Sequence, residues 1–408
     1  MATSYPLNKI KVVLLEGIHP RAVELLRAAG FTVETHAKAL SGRELIEAAG
    51  DAHLVGIRSK TKLTPEFFEQ ATRLWGVGCY CIGTNQVSLD AAAEKGVAVF
   101  NAPFSNTRSV AELTLAEIVA LQRGLVVRSA EMHAGVWKKT AVGFHEVRGR
   151  TLGIVGYGRI GSQLSVLAEN LGMCVVFYDA ADRMSLGNAS ATKSLDELLE
   201  RADIVSLHVP LTESTRGMMG AAQFAKMKKG SLFINNARGE VVDPAALAGA
   251  VKSGHIAGAA VDVFPVEPEG NDEMFESPLR GLANVILTPH VAGSTEEAQK
   301  NIAEETSGKL TRFMNNGTTS GSVNFPEVEL PLLHDGKHRV LHYHHNVPGV
   351  LSKLHGMIAE LGVNIFAEYL QSNPRYSYVI LDISPEHGEA VREGLKKIPE
   401  TIRVRALW

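Results

Sequence analysis

The run Gly156-Tyr157-Gly158-Arg159-Ile160-Gly161 constrains this chain more than any other stretch, because of what flanks it. The apolar segment Thr151-Leu-Gly-Ile-Val155 enters it, a helix-compatible run leaves it, and Cys174-Val-Val-Phe-Tyr178 then delivers Asp179. Strand, glycine turn, helix, strand and acid in that order predict a dinucleotide site. Gly156 permits the tight turn, Gly158 lets a pyrophosphate approach the backbone, and Gly161 lets helix pack on strand while the helix N-terminus faces the phosphates. Asp179 would accept hydrogen bonds from the adenosine ribose and repel a 2′-phosphate. No arginine follows it directly, so NAD is expected rather than NADP.

With 408 residues, 45% of them hydrophobic, the chain has material for two to three domains with separate cores. A net charge of -3 offers no footprint for nucleic acid or an anionic membrane. No window reaches the ~18 uninterrupted apolar residues of a membrane span. The N-terminal MATSYPLNKIKVVLLEG lacks the apolar core and cleavage site of a signal peptide, so a cytoplasmic protein is expected. The three cysteines, Cys79, Cys81 and Cys174, cannot build a disulfide framework, and Cys79-x-Cys81 has no second ligand pair near it for a metal.

Over the first hundred residues, apolar runs at 10–15, 31–34, 54–57, 75–77 and 97–100 alternate with amphipathic stretches, the signature of parallel β/α units. A long helix is predicted from Ser109 to Glu131, opening on the capping-box pattern Ser109-x-x-Glu112. Further strands follow at 204–208, 231–235, 257–262 and 285–287. The stretch from Asn315 to Pro331, rich in Gly, Ser, Thr, Asn and Pro, reads as a linker. Beyond it, strands at 338–344, 364–370, 376–383 and 402–407 and helices at 348–361 and 385–397 give the order βαββαβ, which is ferredoxin-like.

Three polar residues stand where predicted strands of the nucleotide domain end: Arg238, Glu267 and His290, each beside Gly or Pro. Strand carboxyl ends are where α/β sheets place ligands. Hydride exchange with a 2-hydroxy acid needs an acid/base near neutrality, a cation for the carboxylate and a group that orients the base. Histidine, arginine and glutamate supply these. A carboxylate on one imidazole nitrogen selects the tautomer and favours the protonated ring, and the guanidinium fork matches a carboxylate.

Residues 151 to 294 resemble the D-isomer-specific 2-hydroxyacid dehydrogenases, whose Arg/Glu/His set falls on Arg238, Glu267 and His290. The segments Gly76-Val-Gly-Cys-Tyr-Cys-Ile-Gly-Thr-Asn-Gln86 and Asn101-Ala-Pro-Phe-Ser-Asn-Thr-Arg-Ser-Val-Ala-Glu112 resemble the bacterial branch of that family acting on D-3-phosphoglycerate. The likeness runs essentially end to end. It implies an α/β chain with a Rossmann-type nucleotide domain (106–293) inserted into a flavodoxin-like substrate domain (1–105, returning through 294–330), and NAD and substrate held in the cleft between them. It places backbone contacts to the pyrophosphate at Arg159 and Ile160, and Asn236, Ala237 and Asp262 along the nicotinamide. Backbone amides near Tyr80 and Cys81 would hold the substrate carboxylate with Arg238, and Asn106 would also bind substrate. Arg58, Ser59 and Lys60 would meet the phosphate, joined by Lys139 from a neighbouring subunit. Lys60 stands where related enzymes carry a second arginine. The implied activity is NAD-dependent oxidation of the 2-hydroxyl on the route to serine. Alternatives are another 2-hydroxy or 2-oxo acid such as 2-oxoglutarate, or an NAD-sensing corepressor.

The C-terminal part, 331–408, resembles an ACT domain, a small amino-acid-binding unit. The resemblance implies L-serine as effector and a homotetramer. Asn346 and Asn364 suit an amino acid's ammonium and carboxylate, and His344 could hydrogen-bond a ligand hydroxyl. Alternation puts His342 and His344 on one strand face without a third metal ligand.

Overall fold

The computed structural model describes residues 5–268, 273–333 and 336–408. The first four residues of the N-terminal stretch, and 334–335 at the start of the expected ACT-like domain, lie outside the described residues. Two compact units emerge: a discontinuous one of Met1–Ser105 with Gln299–Trp408, and an inserted one of Asn106–Ala298.

The discontinuous unit opens with five strands alternating with four helices: β1 (Lys11–Leu14), α1 (Pro20–Ala28), β2 (Thr32–Thr35), α2 (Gly42–Ala49), β3 (Leu54–Ile57), α3 (Pro65–Gln70), β4 (Gly76–Cys79), α4 (Leu89–Glu94) and β5 (Ala98–Asn101). They form a parallel sheet of order β2-β1-β3-β4-β5, the flavodoxin-like order, whose ligand crevice falls beyond the carboxyl ends of β1 and β3. β3, β4 and β5 are buried along their whole length, as strands covered on both faces must be.

The inserted unit begins with α5 (Thr107–Arg123) and α6 (Leu125–His133), then β6 (Thr151–Val155), α7 (Arg159–Asn170), β7 (Cys174–Tyr178), β8 (Ser190–Ala191), α8 (Leu195–Arg201), β9 (Ile204–Leu207), α9 (Ala221–Lys226), β10 (Ser231–Asn235), α10 (Pro244–Lys252), β11 (Ile256–Val261) and β12 (Val285–Leu287). Its seven strands run in the order β12-β11-β10-β9-β6-β7-β8. The order reverses beside β6, the switch point of a doubly wound sheet. The single helix expected from Ser109 to Glu131 is two: Gly124 adopts φ 57° and ends α5, and any side chain there would strike the Phe144 ring. The expected capping box does not form either. Asn106 is the N-cap, and the Ser109 hydroxyl pairs with Thr295 Oγ1 at 2.9 Å.

The chain leaves the inserted unit along α11 (Glu296–Asn316) and ends with β13 (His338–His345), α12 (Val350–Glu360), β14 (Ile365–Ser372), β15 (Tyr376–Ile383), α13 (Gly388–Leu395) and β16 (Thr401–Leu407). These four strands form an antiparallel sheet of order β14-β15-β13-β16, the ferredoxin-like arrangement. Its helix-facing side buries Val340, Leu354, Val379 and Val391. The opposite side does not face solvent: Leu341, Tyr343, Tyr378 and Leu407 join one core with Phe100, Phe313, Phe325 and Val328. The buried Arg339 grips Asp382 through two hydrogen bonds of 2.7 and 2.8 Å and also donates to the carbonyls of Asn316 and Pro331.

The stretch from Asn315 to Pro331 is therefore no linker. Thr318, Thr319, Ser322, Phe325, Val328 and Leu330 are buried, and Asn324 bridges β5 by accepting from Val99 N and donating to Val97 O. Turn-forming residues close backbone groups with their own side chains, so this composition marks tight, packed turns as readily as slack chain.

Candidate active site

In the inserted unit, the turn between β6 and α7 assigns each glycine its task. Gly156 has φ 94°, and a Cβ there would sit 2.6 Å from the His208 carbonyl. A Cβ on Gly161 would run into the Gly156 carbonyl and Ile154, so helix and strand touch through it. Gly158 differs: it caps α7 without a side-chain hydrogen bond, and a Cβ on it would meet nothing within 4 Å. The helix N-terminus, where Arg159 and Ile160 stand, thus opens on space that a phosphate can enter, and these residues fit a dinucleotide. Asp179 follows β7 and accepts from Tyr157 N at 2.8 Å and Ala181 N at 2.9 Å, which fixes its carboxylate beside the turn. Arg183, unremarked in the sequence, lies 3.5 Å from Asp179 Oδ2.

Arg238, Glu267 and His290 occupy loops after β10, β11 and β12. Gly239 lets the first loop lie on the second, since a Cβ there would overlap the Phe264–Pro265 peptide. His290 Nδ1 meets Glu267 Oε2 at 2.9 Å, and Glu267 Oε1 accepts from Phe264 N at 3.1 Å. The hydrogen bond from Glu267 raises the His290 imidazole above its ordinary range, against burial and the charge of Arg238. Burial works to raise the Glu267 carboxyl, but the hydrogen bond and charge of His290 outweigh it and hold the group low. His290 itself has φ 54°, a strained backbone for a non-glycine residue and a frequent mark of functional sites.

Around them stand residues the sequence named and others, Asn235, Thr114 and Glu117, that it did not. Asp262, expected along the nicotinamide, is fully buried, and its carboxylate accepts from Thr288 Oγ1, Val291 N and Ala292 N. It organises the His290 loop, and its carbonyl accepts from His290 N at 2.8 Å. Asn235 closes the Arg238 loop by donating to Arg238 O and accepting from Ala237 N. Asn236 donates to Glu117 Oε2 at 2.7 Å and to Thr114 Oγ1 at 3.0 Å. Burial pushes the Glu117 carboxyl up to about 7. Asn106 packs on Gly293, just beyond His290, and its Oδ1 is buried without a protein partner. Ala237 is buried, and Lys139 is exposed in the segment after α6.

In the discontinuous unit, the loops after β3 and β4 carry the other expected residues. One expectation fails: the Tyr80 amide donates to Ile57 O at 2.7 Å, extending the β3–β4 ladder, so it has nothing left for a substrate. The Tyr80 ring is buried, its hydroxyl on Ser307 Oγ at 2.9 Å. Cys81 is partly buried, its Sγ 3.2 Å from Gly83 O. Gln86 donates to Arg58 O at 2.7 Å and Gly83 O at 3.1 Å, tying the two loops together. Ser59 and Lys60 are exposed and Arg58 partly so. The amides of Arg58, Lys60 and Thr61 all donate to Glu16, a residue the sequence did not single out.

In the C-terminal module, His344 is buried at the end of β13. Its Nδ1 donates to His345 O at 2.8 Å, so Nε2 is an acceptor, and it is buried without a protein partner. Burial lowers its pKa, and lowers that of His342, 4.7 Å away between ring centroids, to about 3. Asn346, in the following loop, donates to Asn373 O. Asn364 is exposed in the turn between α12 and β14. Among the described residues, no three His, Cys, Asp or Glu side chains gather as metal ligands, and no helix is long and apolar enough to cross a membrane.

A doubly wound sheet, an open glycine turn at its switch point and a paired imidazole and carboxylate beyond its strand ends define a nucleotide-dependent oxidoreductase. Residues 115–292 match the family described as D-isomer specific 2-hydroxyacid dehydrogenase, NAD binding domain, and residues 340–403 match the AHAS small subunit-like ACT domain. The chain is 54% identical over 402 residues to a D-3-phosphoglycerate dehydrogenase of Haemophilus influenzae, covering 98% of both proteins. It is 53% identical over 404 residues to one of Escherichia coli, again covering 98% of each, and 46% identical over 406 residues to one of Dictyostelium discoideum, covering 100% of this chain and 99% of that one. Among solved structures, it superimposes on D-lactate dehydrogenase from Aquifex aeolicus complexed with NAD and lactic acid with a TM-score of 0.68 at 29% identity, covering 78% of this chain and 100% of that one. D-2-hydroxyisocaproate dehydrogenase gives 0.70 at 26% identity, covering 77% and 100%. The chain belongs to the D-isomer specific 2-hydroxyacid dehydrogenase family, and its cofactor is NAD.

Proposed function

We propose that this chain oxidises the 2-hydroxyl of D-3-phosphoglycerate to 3-phosphohydroxypyruvate, the first step towards L-serine. The observation that carries this reading is the His290–Glu267 pair at 2.9 Å, present in a chain that matches proteins named D-3-phosphoglycerate dehydrogenase along 98% of its length. His290 Nε2 takes the proton of the alcohol. Glu267 orients the ring and stabilises the imidazolium that results. Arg238 holds the substrate carboxylate, and Arg58, Ser59 and Lys60 serve the phosphate. The glycine turn, Arg159, Ile160 and Asp179 bind the dinucleotide, with Asn236, Ala237 and Asp262 towards the nicotinamide, which when bound accepts the hydride.

The C-terminal module is read as the site of an amino-acid effector, L-serine, and its supporting observation is the buried, unpartnered acceptor His344 Nε2. A homotetramer is proposed because α6 buries no residue of its own, while Leu125, Met132, Trp137 and Val142 in and after it are exposed. β14 is likewise an edge strand of its sheet, exposing Phe366 and Leu370.

The test is NADH formation from 3-phosphoglycerate, with His290→Ala expected to lose ~10²- to 10⁴-fold in turnover. Absence of turnover by the wild-type protein, or a fully active variant, refutes the assignment. Because the C-terminal module shares a core with the rest of its unit, truncation is a poor test of regulation. His344→Ala and Asn364→Ala should abolish serine inhibition while keeping turnover, and unchanged inhibition in both moves the effector site elsewhere.

A further inference from the structure

Three amides of the loop expected to meet phosphate, those of Arg58, Lys60 and Thr61, are already occupied. Glu16 follows β1 at φ 62°, and Gly17 follows it at φ 59°. Glu16 Oε1 accepts from Arg58 N at 3.1 Å and Thr61 N at 2.9 Å, and Oε2 accepts from Lys60 N at 3.0 Å. Left-handed backbone is unfavourable for a side chain of this size, so local preference does not put Glu16 there. Two backbone bonds hold it: Glu16 N to Lys38 O at 3.2 Å and Gly17 N to His36 O at 3.1 Å. Converging backbone amides form an anion-binding concavity. Here that concavity lies at the β1/β3 switch point of the five-stranded sheet, where an open α/β sheet takes its ligand, and a carboxylate of the chain itself fills it. Gln86 also holds this loop, donating to Arg58 O. With the amides of Arg58, Lys60 and Thr61 and the Arg58 carbonyl engaged, the loop has chiefly the Arg58, Ser59 and Lys60 side chains to offer an anion.

We infer that Glu16 is a positioning residue for phosphate recognition: its carboxylate ties down the backbone of residues 58–61 so that the loop recognises the phosphate through side-chain cations rather than amides. This rests on the proposed function, and substrate specificity is where it reads out. Charge-assisted hydrogen bonds are the stronger ones, so losing three at once should loosen the loop while leaving the groups that perform the oxidation intact.

The experiment compares wild type, Glu16→Ala and Glu16→Gln for kcat, KM for 3-phosphoglycerate and KM for NAD. Glu16→Ala is expected to raise KM for 3-phosphoglycerate ~10-fold or more, equivalent to about 1.4 kcal/mol, with kcat and KM for NAD nearly unchanged. Glu16→Gln keeps one oxygen for the amides and should lie between the two. Added acetate or formate, which can enter the vacated amide concavity of Glu16→Ala, should lower its raised KM and leave wild type unaffected. Unchanged KM in both variants overturns the inference, as does a parallel loss of kcat and NAD binding, which marks general damage. Should Glu16→Ala fail to fold, Glu16→Gln decides by the same criteria. A wild-type protein inert towards 3-phosphoglycerate refutes the proposed function itself, whereas an active wild type with indifferent variants refutes only the role of Glu16.

Discussion

The two parallel sheets of this chain solve the same local problem in opposite ways. Each has a strand beside its switch point that ends in a left-handed turn and passes into a helix: β6 through Gly156 and Gly158 to α7, β1 through Glu16 and Gly17 to α1. In the inserted unit Asp179 holds one amide of the turn, that of Tyr157, and the helix end of the turn is left open. α7 begins without a side-chain cap, and Gly158 has free space where a Cβ would stand. In the discontinuous unit a carboxylate occupies three amides of the neighbouring loop, so that donors a ligand would otherwise use are spent on holding the fold. An open turn welcomes any phosphate of the right shape, and a filled one leaves selection to the side chains around it. On the proposed function, the difference separates a general cofactor site from a selective substrate loop.

Gly158→Ala breaks the contrast most directly. The new methyl meets no protein atom, so the thermal midpoint should stay put. It intrudes where the backbone must be approached, and NAD affinity should fall ~10- to 100-fold. Calorimetric titration with NAD beside a thermal melt checks both, and undiminished affinity means that the turn is not the pyrophosphate site.

Glu267→Gln sharpens the inserted unit's side of the comparison. Glu267 raises the imidazole, and oxidation needs His290 in its neutral form, so wild-type activity should climb only as pH rises through that elevated value. Without the charge the histidine titrates lower. The acid limb of the kcat profile should move to lower pH, with kcat at its plateau reduced ~10-fold through loss of the oriented, charge-stabilised ring. A limb that does not move removes Glu267 from the mechanism.

The smallest expected effect lies beneath Asn236. The folded-state pKa of Glu117, about 7, lies above its ordinary value of 4.5, so the folded chain holds a proton that the unfolded chain releases between those values. Stability from this group is present below the unfolded pKa and is lost as pH rises through the folded one. Glu117→Gln does not titrate, so its thermal midpoint should decline less than that of wild type between pH 5 and pH 8, by ~1–4 °C. Parallel curves would mean that Glu117 is not titrating in that window.

How much of this was legible in the residues varies with the range of the interactions. The glycine fingerprint was readable because each glycine answers a local demand of backbone geometry within one turn. Arg238, Glu267 and His290 could be proposed as a set because the chemistry needs those three types, and each stands in its own short loop beside Gly or Pro; the structure pairs two of them, Glu267 and His290. Glu16 was not readable. It is an ordinary glutamate followed by glycine, and its partners lie 42 to 45 residues away. Asp262 was noticed only for a cofactor contact, because nothing in the sequence shows that Thr288, Val291 and Ala292 return to it.

The sequence by itself determined the classes of structure and the cofactor: parallel β/α units, a dinucleotide turn with an acid after its second strand, and a βαββαβ module at the end. These follow from periodicity and from glycine stereochemistry, which act over a few residues. Only the tertiary structure decided that α5 stops at Gly124, that residues 315–331 are packed rather than slack, that the C-terminal sheet shares its core with the N-terminal one, and that the amides of Tyr80, Arg58, Lys60 and Thr61 are already bonded. Each of these depends on which distant group satisfies a buried backbone or apolar surface. That choice is made by long-range packing, and composition carries no record of it.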